Sequence, residues 1–540
     1  MESKTRLHRL LEIVPGAVTW MVLCTPFILG LYTPRYLAYF VIFFDLYWLI
    51  KAMYMGGFLI SSHIHMERDK RINWFDRCQA LLDLPRAIEE KKAELATVGF
   101  LHKKKIREEL SELVVLQDQE PNYLKRWDQI YHLVLLPHYK DEYQIIRSAV
   151  ASCAHGNFPS QKMIIVIALE EREEGEAKFE KVKKIQEEFG DYFYDIFYTL
   201  HADAPNEIKG KSANIKWAGK VIQKYIDEKG IPYDDIMVSA FDGDTRVSSE
   251  YFGCLTYKYL ITPERTKRTY QPIPLFNNNI WEVPFLVRLV SFGSSFWQMI
   301  ESCRPYRLIN FSSQAMSLRT LVDIDFWDEK IVSEDSRQYY RAFFRYHGNH
   351  QAIPLFTPVN MDAVLGNSLW QTFKYQYYQK RRWAWGVENF PYLVLESMAH
   401  PEIVFWKKFI LVWRIFIGSV EWSTASLLIA FAGWLPILLN ADFRDSVLAY
   451  NLPIIARNIL MATWIGIFAS TYISLKLVPP RPKNYPKAKA IEMIVQWIFV
   501  PITAIFFGSI PAIDAQTRMM LGGRFRLGFW VTPKKFVRPD

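Results

Sequence analysis

Cysteine is scarce and scattered. The five cysteines (Cys24, Cys78, Cys153, Cys254 and Cys303) show no paired or metal-type spacing. That speaks against a disulfide scaffold and a zinc site, and fits a reducing cytosolic environment. There is no glycine period, and 28 prolines are spread through the 540 residues, which excludes collagen-like and coiled-coil chains. Charged residues are few as well. They make up 22% of the chain, against 50% hydrophobic and 16% aromatic, so the chain is too apolar to be disordered. The length allows about three domain-sized units at most. Lys+Arg 65 less Asp+Glu 56 leaves a net charge of +9. The basic residues cluster beside apolar runs, so membrane lipid rather than nucleic acid is the expected partner.

The apolar residues gather at the two ends. Residues 12–32 and 36–60 each approach the roughly 20 residues needed to cross a bilayer. Lys4, Arg6 and Arg9 precede the first run; Arg68, Lys70 and Arg71 follow the second. A hairpin with both outer ends in the cytosol satisfies the positive-inside rule. A cleavable signal peptide is the weaker rival, because no small-x-small site follows and a second run comes at once. Residues 417–440 and 452–478 are further candidate spans, with a neutral loop between them and a basic one after. Residues 490–512 are apolar too, but crossing there would put a basic tail outside, so a re-entrant or interfacial path is expected. Lys407, Lys408 and Arg414 argue for a surface helix over 403–420 rather than a span.

Between the ends the chain is polar. Residues 85–118 read as a charged helical hairpin whose run His102-Lys103-Lys104-Lys105 is either solvated or set against anionic lipid. Short apolar runs at 131–137, 162–169 and 235–241 alternate with helical stretches at 141–154 and 176–188. That alternation predicts a mostly parallel α/β sheet. Ligands of such sheets bind beyond the carboxyl ends of the strands.

Three constellations could carry chemistry. Asp242-Gly243-Asp244 follows the third strand and could hold Mg2+ or Mn2+ against a diphosphate, or be merely a turn. Glu334 and Asp335 open a helix, either as first-turn acids or with Asp335 as a general base. Gln379-Lys380-Arg381-Arg382-Trp383 is either an interfacial helix or a diphosphate and sugar contact.

In this order, between membrane segments, these motifs resemble the membrane-embedded family 2 glycosyltransferases, the cellulose, chitin and hyaluronan synthases. The resemblance covers about 130–400. It implies a nucleotide-sugar-binding (GT-A-like) domain, a UDP-sugar donor and an inverting transfer. Asp335, beside Glu334, would then be the base and Asp244, assisted by Asp242, the metal ligand. Pro137, Tyr139, Asp141, Glu170, Lys211 and Asn214 would line the nucleotide and diphosphate. Gln379, Arg382 and Trp383 would hold diphosphate and acceptor. Phe529-Trp530-Val531-Thr532-Pro533-Lys534 resembles the gating loop of cellulose synthases, which makes Thr532 and Lys534 gate residues.

The expected organisation is a transmembrane hairpin (1–65), a charged linker (66–125), a cytosolic catalytic domain (126–365), interfacial helices (366–416), C-terminal transmembrane or re-entrant helices (417–516) and a basic tail (517–540). The expected product is a growing glycan made processively at the cell (inner) membrane. One sugar added to a lipid-linked acceptor is the alternative, and an inactive scaffold or transporter the rival from another class. Few spans make a wide channel hard to build alone, which points to a homo-oligomer or a partner subunit.

Overall fold

The protein is described from a computed structural model, over residues 2–97, 99–118, 126–205, 207–483 and 485–535. Residues 119–125 of the linker, the tail end 536–540 and the side chains of His102 and Lys105 lie outside that description.

Among the described residues eight strands form one sheet in the order β3-β2-β1-β4-β7-β6-β8-β5. They are β1 (Tyr131–Pro137), β2 (Met163–Glu170), β3 (Asp195–His201), β4 (Ile236–Ala240), β5 (Arg246–Val247), β6 (Arg268–Leu275), β7 (Ala315–Ser317) and β8 (Gln351–Asn360). The first four are parallel, with Leu133 opposite Ile164 and Val238. β7 runs antiparallel to β4 and β6, whereas β6 and β8 pair in parallel.

Side chains alternate across a strand. Leu133 and Leu135 pack under Ile215 and Ile222 of the helix Lys211–Lys229. Val134 and Leu136 pack on the other face with Ile146 and Val182. Burial on both faces is why these strands read as unbroken apolar runs. The predicted runs at 131–137, 162–169 and 235–241 correspond to β1, β2 and β4.

The sheet extends further than the apolar pattern indicated. β6 and β8 contain Pro272, Pro274, Pro354 and Pro358, residues that ordinarily disqualify an inner strand. They pair with each other, and the register shifts between Pro272 and Ile273.

Among the described residues five helices are long and apolar enough to cross a membrane: Arg6–Tyr32, Pro34–Asp69, Phe405–Leu439, Val447–Leu477 and Ala488–Leu521. The separate surface helix expected over 403–420 does not exist. One helix runs from Phe405 to Phe431. Its cations find carbonyl acceptors in the preceding turns and near Arg307, which removes the cost that argued against continuation. Lys408 Nζ donates to the carbonyls of Ser397 (2.9 Å) and His400 (2.6 Å), and Arg414 donates to that of Arg307.

Ala488–Leu521 is interrupted by a π segment at Ile505–Ser509. Both of its ends bond to residues outside the membrane-length helices. Lys489 Nζ donates to the Trp281 carbonyl at 2.7 Å, and Asp514 pairs with Arg381 at 2.9 Å. The charged hairpin is formed by Leu84–Thr97 and Phe100–Gln117 and is tied down by Arg77 to Glu112 at 3.0 Å.

Candidate active site

The carboxyl ends of β1, β2 and β4 open on one cleft. Lys211, the first residue of its helix, stands at the centre. Its Nζ lies 2.7 Å from Asp242 Oδ1, 3.7 Å from Asp335 Oδ1 and 3.8 Å from Glu334 Oε1. One ammonium therefore joins two acidic motifs that are far apart in the chain. The second Asp242 oxygen accepts from Ser312 Oγ at 2.7 Å. Ser313 beside it takes a left-handed backbone (φ 65°), the kind of local cost that persists where surrounding structure fixes a functional loop.

Electrostatics separates these acids. Burial opposes the charge on Asp242, but Lys211 and Lys534 outweigh it and hold its carboxyl well below the usual range. Burial raises the Lys211 cost too, yet Asp242, Asp335 and Glu334 keep the ammonium charged. Glu334 is pushed up to about 7 by burial and by Asp335. Asp335 is also raised, by burial first and by Asp242 against the pull of Lys211 and Arg382. The pair thus favours sharing a proton, with Glu334 as the deeper member: its side chain is 4% exposed, against 24% for Asp335. Gln314 Nε2 donates to Asp335 Oδ1 at 3.4 Å.

Asp244 faces the tail. Its Oδ1 is 2.7 Å from Lys534 Nζ, and its Oδ2 accepts the Asp362 backbone N–H at 2.9 Å. Burial and Asp244 push the Asp362 carboxyl up to about 7. Asp362 lies just past the end of β8 and belongs to none of the sequence motifs. An acid following a strand end was the one signal for it. Asp141 also faces this corner: an atom built at the Gly243 Cβ position would lie 3.4 Å from Asp141 Oδ2 and 3.8 Å from Lys534 Nζ.

Among the described residues no cluster of three His, Cys, Asp or Glu could hold a metal ion alone. The Asp244 and Asp362 carboxyls nevertheless supply hard oxygen donors whose mutual repulsion a divalent cation would relieve. The donor chemistry fits Mg2+ or Mn2+ if phosphate oxygens complete the shell and Lys534 yields its place.

The residues expected at the nucleotide base lie together. Glu170 ends β2 in an ion pair with Arg172, whose guanidinium covers the Tyr139 ring at 4.2 Å. Pro137 ends β1 opposite Ala168. Asn214 is not in the cleft. It is buried, and its Nδ2 donates to the Ala168 carbonyl at 2.8 Å, tying the helix to β2. Its expected place near the diphosphate is corrected accordingly: the fourth helical residue points back into the sheet, while the first points out.

Gln379, Arg382 and Trp383 sit on the helix Leu369–Ala384. The Arg382 charge reaches Glu334 and Asp335, and its guanidinium covers the Phe529 ring at 4.8 Å. Trp383 stacks near Phe276 at 5.8 Å, with Lys380 over its ring at 4.4 Å. Gln379 accepts from Gln376 at 3.1 Å and lies outside the acidic cluster's bonds. The tail crosses the cleft. Trp530 packs on Tyr375 and Tyr378, and Thr532 Oγ1 is buried without a partner among the described residues.

No family model matches the chain, and no curated protein matches its sequence. Among solved structures it is similar to the mannosyltransferase PcManGT from Pyrobaculum calidifontis in complex with GDP-Man and Mn2+, at 12% identity over 83% of this chain and 97% of that one, TM-score 0.37. It is also similar to S. aureus TarS 1-349, at 10% identity over 74% of this chain and 93% of that one, TM-score 0.30. These likenesses are too distant to carry chemistry, which rests on the site itself.

Proposed function

We propose that the chain is a membrane-bound glycosyltransferase of the family 2 type, moving a sugar from a UDP-sugar to an acceptor hydroxyl with inversion. The observation that carries this reading is the Lys211 bridge between Asp242 and the Glu334–Asp335 pair. It sets a charge-rich corner for a diphosphate within a few ångströms of a carboxylate of raised proton affinity. A raised pKa brings a carboxylate toward the range useful for general base work near neutral pH.

Tyr139 and Glu170, braced by Arg172, flank the nucleotide base. Lys211 and Arg382 hold the diphosphate, with Lys534 closing from the tail. Asp335 takes the proton of the acceptor hydroxyl as its oxygen attacks the anomeric carbon from the face opposite the diphosphate. Glu334, protonated, lets Asp335 stay ionised. Trp383 offers the acceptor sugar a flat face. A divalent cation at Asp244 would neutralise charge on the departing diphosphate. Positioning and charge stabilisation supply most of the rate.

Four of the long helices cross the bilayer in this reading. Ala488–Leu521 lies along the interface, which keeps both its ends and the tail on the cytosolic side. The product is a growing glycan. Incubation of the purified protein with a panel of UDP-sugars, followed by product mass measurement, tests this. A ladder supports processive synthesis, and one added sugar supports single transfer to a lipid-linked acceptor. A panel in which no sugar is transferred overturns the proposal.

A further inference from the structure

Three guanidinium groups gather on one carboxylate at the base of the membrane-length helices. Glu301 and Arg304 are ion-paired, each with a side chain 3% exposed. Arg307 Nε stands 3.8 Å from the other Glu301 oxygen. Arg414, from the helix Phe405–Phe431, donates to the Arg307 carbonyl. Among the described residues Glu301 is the only carboxylate paired with Arg304 or Arg307, and Arg414 is paired with none. The buried Nε groups of all three arginines lack an acceptor. Three positive charges thus face one negative charge.

Their depth is marked by their neighbours. Arg304 lies over the Phe58 ring at 5.6 Å, and Tyr54 bonds Tyr306 through their hydroxyls at 3.3 Å. Tyr54, Tyr306 and Trp413 are exposed beside them. Aromatics and arginines where an apolar run ends mark the headgroup zone. Deeper along the same helices, Lys51 pairs with Glu421 at 2.6 Å, so the cation inside the apolar region has its acid. The three arginines at its edge have only Glu301 among them. Guanidinium forks match phosphate oxygens, and the partly exposed Arg307 and Arg414 leave more positive charge than Glu301 offsets.

The site is also connected to the cleft. Five residues beyond Arg307 stands Ser312, which bonds Asp242. An extended stretch of that length covers at most about 17 Å.

We infer that Arg304, Arg307 and Arg414 bind the phosphate of a membrane lipid. An anionic phospholipid headgroup and the phosphate of a polyprenyl carrier both present this chemistry. The site stands on charge balance and depth, independently of sugar transfer.

The full-length protein in detergent is titrated with phosphatidylglycerol, with a short-chain polyprenyl phosphate and with diacylglycerol, and bound lipid is read by native mass spectrometry. Saturable binding of either phosphate lipid, at least about tenfold tighter than diacylglycerol, is expected. Preference for the polyprenyl phosphate identifies a carrier, and preference for phosphatidylglycerol a headgroup. Arg307→Gln and Arg414→Gln should each weaken that binding about tenfold, with UDP-sugar binding in the same preparations unchanged. Arg307→Lys, which keeps the charge without the fork, should lose less and guards against a misfolded Gln variant. Equal binding of diacylglycerol, or variants that bind phosphate lipid like the parent, would overturn the assignment.

Discussion

Lys534 and Asp244 stand 290 residues apart in the chain and 2.7 Å apart in space. The ammonium occupies the carboxylate oxygen that a divalent cation would need. Lys534→Ala should therefore tighten Mn2+ binding by about tenfold, since a competing charge-assisted bond is removed. Paramagnetic resonance titration of free Mn2+ reads this directly. Unchanged affinity would mean that cation and tail do not share Asp244.

Asp335 is the exposed member of a pair whose deeper member holds the proton more tightly. Asp335→Asn should lower transfer by at least about 100-fold while leaving UDP-sugar affinity within a few-fold of the parent. Parallel measurement of turnover and donor binding checks both halves. Full turnover in that variant would remove Asp335 from the mechanism.

Glu334 gives a pH signature. Its folded pKa is raised from 4.5 to about 7, so its stabilising contribution is fully present below 4.5 and is lost as pH rises through about 7. Glu334→Gln lacks that loss. The melting temperature of the variant minus that of the parent should grow between pH 5 and pH 8. A constant difference across that range would contradict the raised value.

Gly210 holds the tail in place by having no side chain. A Cβ there would lie 2.5 Å from the Phe529 ring. Gly210→Ala should lift the segment around Phe529 and make it the first site of limited proteolysis, with the α/β unit left intact. A tail cut no faster than in the parent would show that the ring moves aside without cost.

Much of this architecture was legible in the residues. β1, β2 and β4 are buried on both faces, so their sequences are near-continuous apolar runs that end in polar or acidic residues. β3 escaped notice because Tyr198 on it is exposed, which breaks the run. β6 and β8 escaped because their prolines mimic loops, and only pairing between two proline-bearing strands accommodates them. In the site, the motif residues Asp242, Asp244, Glu334, Asp335 and Arg382 come together with Lys211 and Lys534. The contacts of Ser312 and Asp362 are not legible, since no local pattern says which distant carboxylate a serine or an aspartate will meet, and the place of Asp362 after a strand end is its one signal. The continuous helix 405–431 is not legible in the sequence, because the acceptors that satisfy its cations come from a residue over 100 positions upstream and from neighbouring turns.

The most direct test of the whole account is metal-dependent release of nucleotide from UDP-sugars by the purified protein, compared with Asp244→Asn. Release of UDP from at least one donor, lost in the variant, is the predicted result. A parent protein that neither binds nor cleaves any nucleotide-sugar, with or without Mg2+ or Mn2+, would contradict it.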